Sequence, residues 1–159
     1  MSSRRNSKMA ERSLSLVKPE ASYRKVERMS MPASSVIPAT TILVVEDEYF
    51  LRDDIVGYLQ DAGCAVIEAD TGECAIDICK SGMPVDVVFT DIQLPGAASG
   101  FDVAETFRAA RAGIPIVYAS GNSGNRHRCV SGSLFFDKPY RSTEILTACL
   151  QLKNARPLN

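Results

Sequence analysis

Thr41-Ile-Leu-Val-Val-Glu46-Asp47-Glu48 decides the fold of this chain, because an unbroken apolar run gives way at once to three acids. Residues dominated by β-branched side chains, without polar alternation, predict a strand covered on both faces. The segment 48–62 then places Leu51, Ile55, Tyr58, Leu59 and Ala62 on one helical face and stops at Gly63. The alternation repeats downstream. Strands are predicted at Cys64–Ala69, Val85–Thr90, Ile114–Ala119 and, in short form, Leu134–Phe136. Helices are predicted at Gly72–Lys80, with Ala75, Ile76 and Cys79 inward, and at Phe101–Ala112, with Val103, Ala104, Phe107 and Ala110 apolar. A closing helix spans Ser142–Leu152. Strands alternating with helices at this spacing predict an α/β fold with a doubly wound, five-stranded parallel sheet. In such sheets the functional crevice lies beyond the carboxyl ends of the strands.

The 159 residues suffice for one ordinary domain, and 45% hydrophobic with 23% charged residues is a globular composition. No apolar run approaches the roughly 18 residues needed to span a bilayer, which argues against membrane insertion. Residues 1–38 carry eight basic side chains against three acidic ones, nine serines, and prolines at 19, 32 and 38. They read as a basic, disordered extension without the apolar centre of a secretory signal. The body over 39–154 is expected to be the folded domain, with 155–159 as a short tail. From residue 39 onward, ten basic side chains face sixteen acidic ones, which argues against a nucleic-acid-binding face. Five cysteines without a CxxC pair read as buried thiols in a reducing cytoplasm. A single histidine, His127, excludes a multi-histidine metal site.

The strand ends carry the chemistry. The first strand runs into Glu46-Asp47-Glu48, the third into Asp91, the fourth into Ser120 and the fifth into Lys138-Pro139. Carboxylates held together repel one another and call for a hard cation such as Mg²⁺, which takes oxygen ligands. Asp91 beside such an ion can act as a nucleophile toward a phosphoryl group whose oxygens meet cation, lysine and hydroxyl. Between Ser120 and Lys138 the chain is rich in glycine and polar residues and has no helical period, so the fourth helix is predicted to be rudimentary. His127, Arg126 and Arg128 within it read as solvated surface side chains.

Four segments in this order resemble the response-regulator receiver domain, the CheY-like superfamily of two-component signalling. They are Ile42-Leu-Val-Val-Glu46-Asp47-Glu48, Phe89-Thr-Asp91-Ile-Gln-Leu-Pro95-Gly96, Ile116-Val-Tyr-Ala-Ser120-Gly121 and Phe135-Phe-Asp-Lys138-Pro139-Tyr140. The resemblance covers about residues 40–153. It implies Asp91 as phospho-acceptor, with Glu46, Asp47, Asp91 and the backbone carbonyl of Gln93 holding Mg²⁺. It implies Ser120 as the switch hydroxyl, Lys138 as the phosphoryl-pairing lysine and Phe135 as the switch aromatic, with a plain core role for Phe135 equally open. Tyr118-Ala-Ser-Gly121 also resembles the Phe-Ala-Thr-Gly signature of an alphaproteobacterial subgroup of single-domain receivers.

With the receiver resemblance running to about 153, no output domain is expected after it. The expectation is a stand-alone receiver in the cytoplasm, a phosphoryl acceptor rather than a turnover enzyme. A histidine kinase or phosphotransfer protein would load it, and it would signal to a downstream protein or act as a phosphate sink; a homodimer is left open. Two other functions compete. One is an adaptor that never accepts phosphate, opposed by the full set of site residues. The other is an aspartyl-nucleophile phosphohydrolase, opposed by Gln93 where the general-acid aspartate would stand.

Overall fold

A computed structural model describes residues 39–155; the extension expected over 1–38 and positions 156–159 of the tail lie outside the described residues. The elements run β1 (Thr41–Val45), α1 (Tyr49–Asp61), β2 (Ala65–Ala69), α2 (Gly72–Lys80), β3 (Val87–Asp91), α3 (Gly100–Ala110), β4 (Ile116–Ser120), a 3₁₀ segment (Ser123–Arg128), β5 (Leu134–Asp137) and α4 (Ser142–Asn154). All strands are parallel, in the order β2-β1-β3-β4-β5.

The period of two along a strand divides the core. Leu43 and Val45 face one side with Val88, Ile116 and Tyr118, beneath Ala75 of α2 and Phe101, Val103 and Phe107 of α3. Ile42 and Val44 face the other with Phe89 and Val117, beneath Ile55 and Leu59 of α1 and Ile145 of α4. All four β1 residues from Ile42 to Val45 are fully buried, and each contributes roughly 1.5–3 kcal/mol of burial free energy. Register aligns the strand ends: Val45 lies beside Thr90, Asp91 beside Ala119 and Ser120 beside Asp137. At the amino ends of the strands, Asp86, just before β3, accepts the Thr41 N–H at 2.9 Å and the Lys153 ammonium at 3.1 Å, tying the starts of β1 and β3 to α4.

The stretch between β4 and β5 holds no α-helix, in line with its polar, glycine-rich sequence; it forms six residues of 3₁₀ helix. Other expectations need correction. On α1, Tyr58 and Ala62 point outward and Val56 is buried instead, because Ile55, Val56 and Leu59 already fill the stripe against the sheet. Strands β3 and β4 begin two residues later than their apolar runs. Val85 and Ile114 are buried without joining the ladder, and Pro115 has no N–H to contribute there. Of the five thiols only Cys149 is buried; Cys64, Cys74, Cys79 and Cys129 are half-buried. Among the described residues no helix is long and apolar enough to cross a membrane.

Candidate functional site

Four strands deliver polar groups to one crevice. Glu46 follows β1 and is fixed by its N–H on the Ala69 carbonyl at 3.1 Å; its side chain is only 1% exposed. Asp91 is the last residue of β3 (6% exposed) and Ser120 the last of β4 (1% exposed). Lys138 follows β5, with its N–H on the Ser120 carbonyl at 2.9 Å. The Lys138–Pro139 peptide bond is cis. The lysine ammonium reaches back into the crevice and donates to Asp91 Oδ2 at 2.5 Å and Glu46 Oε2 at 2.7 Å. The other oxygens are also engaged, Asp91 Oδ1 by the Gln93 N–H at 2.9 Å and Glu46 Oε1 by the Glu48 N–H at 3.3 Å.

Carboxylate oxygens of Glu46, Asp47 and Asp91 lie within 4.8 Å of one another, two of these residues buried and Asp47 exposed. Burial raises the Glu46 carboxyl above its usual range, and the Lys138 ammonium offsets this only in part. Burial also works against charge on Lys138, but the hydrogen bonds it donates to Asp91 and Glu46 outweigh this and hold the ammonium protonated. Three carboxylates against one ammonium leave an uncompensated negative site lined by oxygen. That donor set fits a small divalent cation with retained waters.

The remaining sequence candidates, Ser120 and Phe135, have other partners. Ser120 Oγ accepts the Asn122 N–H at 3.1 Å, at the start of the 3₁₀ segment. Phe135 is half-buried against the core on the α3 side, with the Arg126 guanidinium 4.3 Å above its ring. Arg126 also pairs with Asp137 at 2.5 Å, and Arg128 lies 4.4 Å over the Phe101 ring. Neither arginine is therefore a merely solvated side chain.

Sequence reasoning missed three contributors. Arg52 of α1 donates to the Glu46 carbonyl at 2.7 Å and to Glu68 Oε2 at 3.3 Å, bracing the end of β1. Tyr140 packs edge-on against Phe89, and its buried hydroxyl has no partner among the described residues. Burial pushes that hydroxyl up to about 12. Gly100 lets α3 start against the site, since a Cβ there would collide with the Asp91 carbonyl oxygen. Only the last had a local signal, a glycine at a helix start.

The response regulator receiver domain family model matches residues 42–149. The chain belongs to that family. Receiver domains are regulatory phospho-acceptors of two-component signalling that take Mg²⁺ at an acidic pocket, and this fold is theirs. The chain is 38% identical to a solved response regulator receiver protein of Sinorhizobium medicae, with a TM-score of 0.71 over 74% of this chain and 96% of the other. It is 29% identical to the response regulator TrrA of Thermotoga maritima, solved in complex with Mg²⁺ and BeF, with a TM-score of 0.63 over 71% and 98%. A probable transcriptional regulatory protein of Picosynechococcus sp. is 32% identical over 70% of this chain and 48% of its own length. The chain spans about half the length of the curated relatives it matches first.

Proposed function

We propose that this receiver accepts a phosphoryl group on Asp91 from a histidine kinase or phosphotransfer protein. It then signals by binding another protein or drains phosphoryl groups as a sink, acting alone in the cytoplasm. The observation that carries the reading is the contact of Lys138 Nζ with both Asp91 and Glu46 inside a cluster of three carboxylates. Glu46, Asp47, Asp91 and the Gln93 backbone carbonyl are the groups assigned to hold Mg²⁺. When bound, the ion supplies positive charge to the oxygens of the transferring phosphoryl group.

The residues divide the work. Asp91 attacks phosphorus; a P–O bond forms, the P–N bond to the donor imidazole breaks, and that nitrogen takes a proton from water. Lys138 exchanges part of its contact with Asp91 for a phosphoryl oxygen, and the Ser120 hydroxyl turns from Asn122 to donate to another. Phe135 is assigned the switch role, following Ser120 inward. A donor histidine has to come within bonding reach of Asp91, so a partner must seat on the rim. Tyr49 and Phe50, 60% and 79% exposed at the start of α1, offer it an apolar surface beside Glu46–Glu48.

Mass spectrometry after incubation with Mg²⁺ and acetyl phosphate tests the reading. Wild type gains the mass of one phosphoryl group and Asp91→Asn gains none. Absence of the adduct in wild type, with or without a kinase partner, would leave an adaptor and overturn the proposal.

A further inference from the structure

The β3–α3 loop, residues 92–99, leaves the site directly after Asp91. Its near end is fixed by the Gln93 N–H on Asp91 Oδ1 and by the Ile92 N–H on the Ala119 carbonyl at 3.1 Å. Its far end is fixed by a reciprocal cap, in which Ser99 N–H donates to Asp102 Oδ2 at 2.7 Å and Asp102 N–H donates to Ser99 Oγ at 3.4 Å. Between these ends the chain turns through Gly96 at φ +96°, and the next two N–H groups, of Ala97 and Ala98, meet α2. Both donate to one acceptor, Glu73 Oε1, at 2.7 and 3.0 Å. Glu73 comes from α2, 24 and 25 residues earlier in the chain.

The surroundings are shaped for that contact. A Cβ on Gly72 would run into the Ala98 carbonyl oxygen, and one on Gly96 would lie 2.7 Å from Glu73 Oε1. Gly72 thus lets the first turn of α2 meet the loop backbone, and Gly96 leaves room for the Glu73 carboxylate. Hydrogen bonds from its own N–H, Ala97 and Ala98 hold the Glu73 carboxyl below its usual range. The acceptor is therefore charged at neutral pH, the stronger form for backbone N–H donors.

We infer that Glu73 is a positioning residue of the aspartyl site. By holding mid-loop, it fixes the path of the backbone from Asp91 through Gln93, and with it the carbonyl assigned to Mg²⁺. The inference rests on the phospho-acceptor reading above. Without Glu73 the loop stays anchored at both ends, so the fold survives while residues 93–98 sample more conformations and lose preorganisation for the cation. Loss of an outer partner of a metal ligand costs about 10–100-fold in affinity in general; for an exposed carboxylate the lower end is expected.

The test uses the full chain as wild type, Glu73→Ala, Glu73→Gln and Asp91→Asn. NMR titration with Mg²⁺ alone gives the dissociation constant, and amide exchange at Ala97 and Ala98 reports the loop. Glu73→Ala should weaken Mg²⁺ binding about tenfold and speed exchange at both amides, with an unfolding midpoint close to wild type. Glu73→Gln keeps an acceptor oxygen and should recover most of the loss, within about threefold of wild type. Unchanged Mg²⁺ affinity in Glu73→Ala, beside a wild type that accepts phosphate on Asp91, overturns the inference and leaves the acceptor reading standing. A wild type that neither binds Mg²⁺ nor accepts phosphate overturns both.

Discussion

The two segments flanking Asp91 are held by different kinds of force. The β3–α3 loop is fixed by directional hydrogen bonds: both Glu73 contacts, the Ser99–Asp102 cap and the Gly100 N–H on the Ile92 carbonyl at 3.1 Å. The 3₁₀ segment after β4 is held by guanidinium groups lying on rings, Arg126 over Phe135 and Arg128 over Phe101, with the exposed Arg126–Asp137 pair. Its other ties include the Asn122 N–H on Ser120 Oγ at 3.1 Å, Asn122 Oδ1 on the Gly124 N–H, a long bond from the Val130 N–H to the Tyr118 hydroxyl at 3.4 Å, and half-buried Cys129 and Val130 against the core. Cation–ring contacts at exposed sites contribute about 0.5–1 kcal/mol each and tolerate sliding, whereas paired backbone N–H groups do not. The difference teaches that the side carrying the chemistry is preorganised, while the side carrying Ser120 and Phe135 opens at small free-energy cost.

The largest effect expected from this contrast is a pair of glycine substitutions. Gly100→Ala forces a methyl group into the Asp91 carbonyl and the Thr90 hydroxyl. It should destabilise the domain by about 3 kcal/mol, the upper range for overpacking. Gly121→Ala has nothing within 4 Å of the new Cβ and no positive φ, so it should change stability by less than about 0.5 kcal/mol. Urea unfolding midpoints check both, and equal shifts would erase the distinction between the two segments.

Acid separates them next. Hydrogen bonds from Ser99 hold the Asp102 carboxyl below its usual 3.8, and those from its own N–H, Ala97 and Ala98 hold Glu73 below its usual 4.5. A carboxylate depressed in the folded state contributes stability above its unfolded value, and that contribution is lost as pH falls through the folded value. Lowering the pH through and below 3.8–4.5 should therefore release Ala97, Ala98 and Ser99. Over the same range the 3₁₀ segment keeps both guanidinium–ring contacts, which rest on no carboxylate. Amide protection measured residue by residue across this range reads the order of release; simultaneous loss would contradict it.

The same contrast marks what the sequence makes legible. Strand ends are readable, because an apolar β-branched run stopped by Glu46, Asp91 or Ser120 has a position along the sheet that periodicity alone supplies. The missing fourth helix is readable too, as polar residues without a period cannot cover a core. Contacts across the fold are not. Glu73 is an exposed glutamate in a first helical turn, ordinary in its local context, and its partners lie 24 and 25 residues away. Arg126 and Arg128 sit between glycine and polar neighbours that predict solvent exposure. They find Phe135 and Phe101 only because β5 and α3 bring those rings beneath them.

The smallest effect tests that covering directly. Arg126→Ala removes the guanidinium from Phe135 and the bond to Asp137 while touching no buried group. The expected cost is about 1 kcal/mol, confined to local opening, because an exposed ion pair and one cation–ring contact are each worth less than that. Exchange at residues 126–130 should then rise about fivefold with no change at Ala97 or Ala98, since 1.4 kcal/mol corresponds to tenfold. Arg126→Lys keeps a charge for Asp137 but loses the planar face over the ring, so it should fall between the two. A beryllofluoride mimic of the phosphoryl group sharpens the reading further. On the proposed reading, turning the Ser120 hydroxyl toward the mimic would free the Asn122 N–H, and a move of Phe135 would repack the segment. Protection over 121–136 should therefore rise in wild type on adding the mimic and rise proportionally more in Arg126→Ala, which starts from the looser state. If Arg126→Ala leaves exchange in the 3₁₀ segment at the wild-type rate, the guanidinium is a bystander and the contrast between the two segments needs another cause.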